Sequence, residues 1–230
     1  MLKKILVNFI KRKKNNDFEF DSDISSEILI SLFTDKLISL FRSFKFYKFQ
    51  QRKFFLFFGK SVKLFNKKNI EFGFGVNIGD YVKIYALGRK KIKFGNNVNI
   101  GNFSQLIISV SFDNIGEFID IGSNVAIAEF AYIGGAGGVK IGNDTIIGQY
   151  FSVHPENHHF KDTSILIRMQ GTYRNGIEIG CNCWIGSKVT ILDGVKIGNN
   201  CVIAAGSVVN SSFPSGSLIG GVPARLIKKI

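Results

Sequence analysis

Large aliphatic residues stand six positions apart, without interruption, over the last third of the chain: Ile179, Ile185, Ile191, Ile197, Ile203 and Val209. The step appears earlier as Ile121, Ile127, Ile133 and Val139, and as Ile141, Ile147 and Val153. It is also present as Ile78 and Ile84, and as Phe94, Ile100 and Leu106. Gly follows many of these anchors, as at Gly79, Gly101, Gly142, Gly148, Gly186 and Gly198. Small or β-branched residues recur four places after an anchor, as at Val82, Ser104, Val125, Val189 and Ser207. A period of six fits neither the 3.6 of an amphipathic helix nor the 2 of a half-buried strand. It fits a short strand and a corner, repeated, with one large side chain per unit pointing inward. Three units close a triangular coil of eighteen residues, so Ile179 stacks on Ile197, Ile185 on Ile203 and Cys183 on Cys201. The prediction is an all-β solenoid, a parallel β-helix from about residue 71 to the C-terminus, with about five or six coils. Gly after the anchors, and Asn at 96, 97, 143, 199 and 200, suit corners that need close backbone approach or positive φ.

The first part of the chain has another pattern. From Ile24 to about Phe46, Ile28, Leu29, Leu32, Phe33, Leu37, Leu40, Phe41 and Phe44 fall at helical spacings, with Ser25-Ser26-Glu27 as a start signal. The domain division is therefore 1–70, basic and largely helical, and 71–230, the solenoid. The preferred reading of the helix is a cap on the solenoid's end. The second is a helix lying on anionic lipid, a peripheral membrane contact.

Composition narrows the picture. In 230 residues, 45% apolar and 20% charged is ordinary globular chemistry and excludes a disordered chain. No apolar run reaches the ~18 residues of a spanning helix. The net charge of +13 is uneven: residues 1–70 hold 16 Lys/Arg and 6 Asp/Glu (+10), residues 71–230 hold 14 and 11 (+3). A basic start of this kind does not make the whole protein a nucleic-acid binder. The run Phe46 to Phe55, with its alternating aromatic and basic residues, is explained by the general Phe and Lys enrichment, and no nucleic acid is expected. The apolar run Ile5 to Ile10 is too short for a signal-peptide core and meets Lys11-Arg12-Lys13-Lys14 without a cleavage site. With Cys181, Cys183 and Cys201 odd in number and clustered, the expectation is a cytoplasmic protein, if membrane-associated then at the inner face.

The repeat breaks after Val153 and resumes at Ile177. All three histidines, His154, His158 and His159, lie at the start of this loop (154–176), followed by Arg168, Gln170 and Arg174. Loops on a rigid scaffold are where binding groups gather, and imidazole takes a proton near neutral pH without a large pKa shift.

The run Ile179-Gly-Cys-Asn-Cys-Trp184-Ile-Gly-Ser-Lys-Val, then Val202-Ile-Ala-Ala-Gly-Ser-Val-Val, then Gly221-Val-Pro-Ala-Arg225, resembles the hexapeptide-repeat acyltransferases. Within them it is similar to the galactoside/maltose O-acetyltransferase group and to acetyltransferases of polysaccharide gene clusters. The resemblance implies a left-handed β-helix and a homotrimer with sites between subunits. It also implies O-acetylation of a saccharide acceptor, a surface polysaccharide or its precursor, with acetyl-CoA as donor and no metal required. His158 is implied as general base, with His154 as the alternative base or a substrate contact, and Trp184 on the acceptor side. Ser187, Ala205, Arg225 and Lys228 are implied as coenzyme A contacts. Asn210-Ser211 departs from the Thr-Lys common in relatives, which shifts phosphate binding toward the C-terminal cations. Alternatives are N-acetylation of an amino-sugar nucleotide, though residues 1–70 lack a nucleotide-binding pattern, and a non-catalytic scaffold.

Overall fold

The computed structural model describes residues 20, 21, 23–44, 46 and 55–230. The described chain winds as a left-handed parallel β-helix of three walls preceded by one helix, α1 (Ser26–Ser43). The first wall runs from Leu56–Phe58 through Val76–Ile78 and on to Ser217–Gly221, the second from Lys63–Phe65 to Val208–Val209, and the third from Ile70–Phe72 to Lys196–Ile197. Anchors stack in register: Phe58, Ile78, Ile100, Ile127, Ile147, Ile185, Ile203 and Ile219 form one buried ladder in the first wall. Leu64, Ile84, Leu106, Ile133, Val153, Ile191 and Val209 form another in the second. The prism interior is thus a stack of branched side chains, each coil burying the face of the one before. A final antiparallel strand, Ala224–Lys229, folds back on Ser217–Gly221.

The walls begin earlier than the repeat had indicated. Leu56–Phe58 pairs with Val76–Ile78 and Lys63–Phe65 with Lys83–Tyr85, so the solenoid starts at residue 56 rather than 71. Phe58, Leu64 and Ile70 do keep the six-residue step, but the first of them is aromatic and surrounded by other Phe, which hides it. The eighteen-residue coil also proves local. Partners in successive coils lie 18 residues apart near Cys181, but 22 and 27 apart earlier and 38 across the histidine loop. The hydrogen-bonded walls keep their lengths, and the corner between the second and third walls absorbs the extra chain.

The other two corners have distinct chemistry. Glycine after an anchor is required by proximity: a Cβ on Gly101 would lie 2.4 Å from the backbone at Ala128 and Glu129. Positive φ falls instead on the third residue after the anchor, where most side chains are not glycine. Between the first and second walls they include four aromatic residues, Tyr81, Phe103, Phe130 and Tyr150, with φ of 58–60°. Their rings stack at 5.0–5.2 Å and within 7° of parallel, and this contact offsets the cost of the left-handed backbone. Between the third and first walls Asn97 donates to Asn124, Asn124 to Asp144, and Asn182 to Asn200, at 2.8–3.1 Å. Asn and Asp tolerate this backbone better than other side chains, and here they also bond from coil to coil.

The helix forms where the spacing predicted it. Ser25 accepts a hydrogen bond from the Ile28 amide at 3.3 Å and caps its start. The helix contacts the first strand, and Phe46 just beyond it packs on Phe58 and Phe72 to close the end of the core. The charged N-terminal run and residues 47–54 lie outside the described residues.

Candidate active site

Two insertions leave the prism at the corner between the second and third walls. One spans 108–118, between Gln105–Ile107 and Ile119–Ile121; the other is the histidine loop, between Ser152–His154 and Ile177–Ile179. They enclose a cavity of about 570 Å³ lined by Tyr132, His154, Glu156, His158, Arg168 and Arg174 among others. Arg174 ties the loops together. Its guanidinium donates to the Glu156 carboxylate at 2.5 Å and to the carbonyls of Ile115 and Asn114 at 3.1 and 3.3 Å. Asp193 supports the loop's exit, accepting from the amides of Asn175 and Gly176 at 2.9 Å and from the Asn157 side chain at 3.2 Å.

The two histidines of the cavity are held differently. His154 is the last residue of a wall strand, in register with Leu192 of the next coil, and its ring lies 5.4 Å from that of Tyr132. The protein around it disfavours the charged imidazolium and pulls its pKa below the ordinary 6.5. Burial, and then the negative charge of Glu156, push the Tyr132 phenol above 10, so it remains a hydrogen-bond donor at neutral pH. His158 sits on a short hairpin, opposite Thr172 in an antiparallel pair; both imidazoles are exposed, so the difference between them lies in the backbone that carries them and in the Tyr132 ring beside His154. Glu156 pairs with Arg174 rather than orienting His158. His159 packs its ring near Tyr173, 5.0 Å away.

The remaining sequence-predicted contacts lie elsewhere on the prism. Trp184 points out of the first wall, 58% exposed, between Ile146 and Val202. Ser187 and Ala205 occupy the corner between the first and second walls in successive coils, each one residue before the position that carries the aromatic stack in earlier coils. Arg225 and Lys228 are exposed on the closing hairpin. None of these five lines the cavity. The structure therefore joins His154 and His158 but leaves the other group on separate surfaces of the same chain. Among the described residues the Ser187 and Ala205 amides have no hydrogen-bond acceptor.

Tyr132 and the 108–118 loop were missed in the sequence. The interval from Leu106 to the next anchor, Ile121, announces an insertion there, but nothing in its composition says that it meets a loop two coils on. Cys183 and Cys201 are buried in adjacent coils, and burial raises the Cys183 thiol pKa, which suits packing rather than nucleophilic chemistry.

Residues 176–211 match the family described as bacterial transferase hexapeptide, six repeats. The match takes in 36 of the 230 residues, in the last coils of the prism. Relatives that match about half of the chain are named acetyltransferases. The chain is 34% identical over 113 residues to Escherichia coli K12 WbbJ, whose name gives it as a lipopolysaccharide biosynthesis O-acetyl transferase; the match covers 46% of this chain and 58% of WbbJ. It is 36% identical over 129 residues to the acetyltransferase SACOL2570 of Staphylococcus aureus strain COL, covering 54% of this chain and 61% of that protein. The shared region is thus somewhat more than half of each relative. Among solved structures, a mutant of the Bacillus cereus N-acyltransferase AntD, in complex with dTDP and coenzyme A, is similar at a TM-score of 0.47 and 18% identity, over 91% of both chains.

Proposed function

We propose that this protein is an acyltransferase that moves an acetyl group from acetyl-CoA to a hydroxyl of a saccharide, a surface polysaccharide or its precursor. The observation that carries the reading is the cavity between the two loops, with the His154 imidazole on its lining at the end of a wall strand. A sugar hydroxyl is a weak nucleophile at pH 7 until a positioned base takes its proton. His154 suits that task better than His158. Its backbone is locked into the wall, its ring is held against Tyr132, and its lowered pKa keeps it unprotonated at neutral pH. The mechanism is direct. The acceptor oxygen bonds to the thioester carbonyl carbon as its proton passes to His154; the carbon–sulfur bond then breaks, and the imidazolium returns the proton to the departing thiolate. No acyl-enzyme is required, and the three cysteines have no part in it.

Ser187, Ala205, Arg225 and Lys228 are the groups that suit the donor, and Trp184 the acceptor side. Their separation from the histidines on one chain supports a homotrimer in which one subunit's cavity faces the next subunit's coenzyme A surface. The test is mass spectrometry of candidate saccharides after incubation with acetyl-CoA. The expected product is heavier by one acetyl group, and mild base removes it, as an ester and unlike an amide. His154→Ala is expected to lower the rate by about 10²–10⁴-fold with the fold intact. Equal rates for wild type and His154→Ala would remove His154 as the base.

A further inference from the structure

α1 has more apolar surface than the prism covers. Leu29 and Ser43 are its buried residues, and together with Lys36 and Leu40 they follow the spacing of one helix face. Lys36 fastens that side: its ammonium donates to the Asn77 side chain at 2.8 Å and lies 5.3 Å from the centre of the Phe57 ring. One residue further on, about a quarter-turn round the helix, Ile30, Phe33, Leu37 and Phe41 make a second stripe. These four are 52%, 53%, 38% and 67% exposed. The first coil, residues 56–70, whose opening strand the helix contacts, carries Lys60, Lys63, Lys67 and Lys68, all exposed, and no acidic residue. The sequence between helix and coil adds Lys45, Lys48, Arg52 and Lys53, again without an acid.

We infer that this end of the molecule docks on an anionic phospholipid bilayer, with the Ile30–Phe33–Leu37–Phe41 stripe at the headgroup–acyl boundary and the lysines on the lipid phosphates. No described helix is long and apolar enough to cross a membrane, so the helix lies in the plane of the surface. Charge decides for lipid over a second copy of the chain. Two such ends brought together would set the eight cations of residues 44–70, with no acid among them, against the same eight, whereas an anionic surface takes up the apolar stripe and the charge at once. The inference is independent of the transfer reaction, because it uses no residue of the cavity.

Flotation of the full-length protein with vesicles tests it. Vesicles of phosphatidylcholine with phosphatidylglycerol are expected to carry the protein up the gradient about tenfold better than phosphatidylcholine alone, and high salt is expected to weaken the binding. The doubly substituted Phe33→Glu/Phe41→Glu protein, checked for its fold by circular dichroism, is expected to lose binding by about tenfold or more while acetyl transfer to a soluble saccharide is unchanged. Equal binding to both vesicle types, no binding, or wild-type binding by the variant overturns the inference. So does light scattering in which the substitutions split an oligomer, because the stripe then belongs to a subunit contact.

Discussion

His154 stands where the last residue of a wall strand becomes the first of a loop, so its backbone is as rigid as the prism while its ring reaches the cavity. The pH consequence follows from the direction of its pKa. A base with a lowered pKa keeps its neutral, active form to a lower pH than a free imidazole does. The acid limb of kcat/KM is therefore expected to have its midpoint below 6.5, and measurement across pH 4.5–8 checks it. A midpoint well above 6.5 would count against His154. At the corners the constraint is steric. Gly101→Ala sets a methyl group where backbone of the next coil lies 2.4 Å away, and the expected loss is about 1–3 kcal/mol, read from the denaturation midpoint.

Wall strands are two or three residues long for the most part, and none has meaning outside its stack. Their order comes from buried anchors in register, which is why a six-residue spacing in the sequence translates so directly into structure. Loops obey a different rule. The two insertions at the cavity are joined through Arg174, whose head is charged, well covered and shared between Glu156 and two carbonyls of the other loop. Replacing it with Ala leaves the Glu156 carboxylate without its cation and frees the 108–118 loop from the histidine loop. Arg174→Ala is expected to raise the KM for the saccharide about tenfold or more, with a smaller change in the thermal midpoint, because the walls do not depend on it. Steady-state kinetics beside a melting curve separate the two effects. Arg174→Lys keeps the charge but not the planar fork, and is expected to restore little.

For the whole molecule, the distribution of groups over the prism surface matters most. The histidines stand at one corner and the Ser187–Ala205 surface at another, and the proposed function therefore calls for a second subunit to bring the two together. Subunit mixing tests the proposed assembly. Co-expression of His154→Ala with Ala205→Trp is expected to give mixed trimers in which some interfaces pair an intact base with an intact coenzyme A surface, recovering roughly a quarter of wild-type activity. Each variant alone is expected to be inactive or nearly so. If the mixture is no more active than its components, the site lies within one subunit.

The repeat, read without coordinates, was enough for the parallel solenoid, the inward anchors, the helix with its start at Ser25-Ser26-Glu27, and the histidine loop as a break in the period. All of these are local: a period, a cap, a break in the period. Contacts between segments far apart in sequence were not legible. The partnership of Arg174 with Asn114 and Ile115, the ring of Tyr132 beside His154, and the pairing of Glu156 away from His158 arise because loops of unequal length meet over one corner. Sequence spacing reports what neighbouring residues do to each other along the chain. Which imidazole stands on a wall strand with an aromatic ring beside it depends on what surrounds it in space, and only the folded molecule supplies those surroundings.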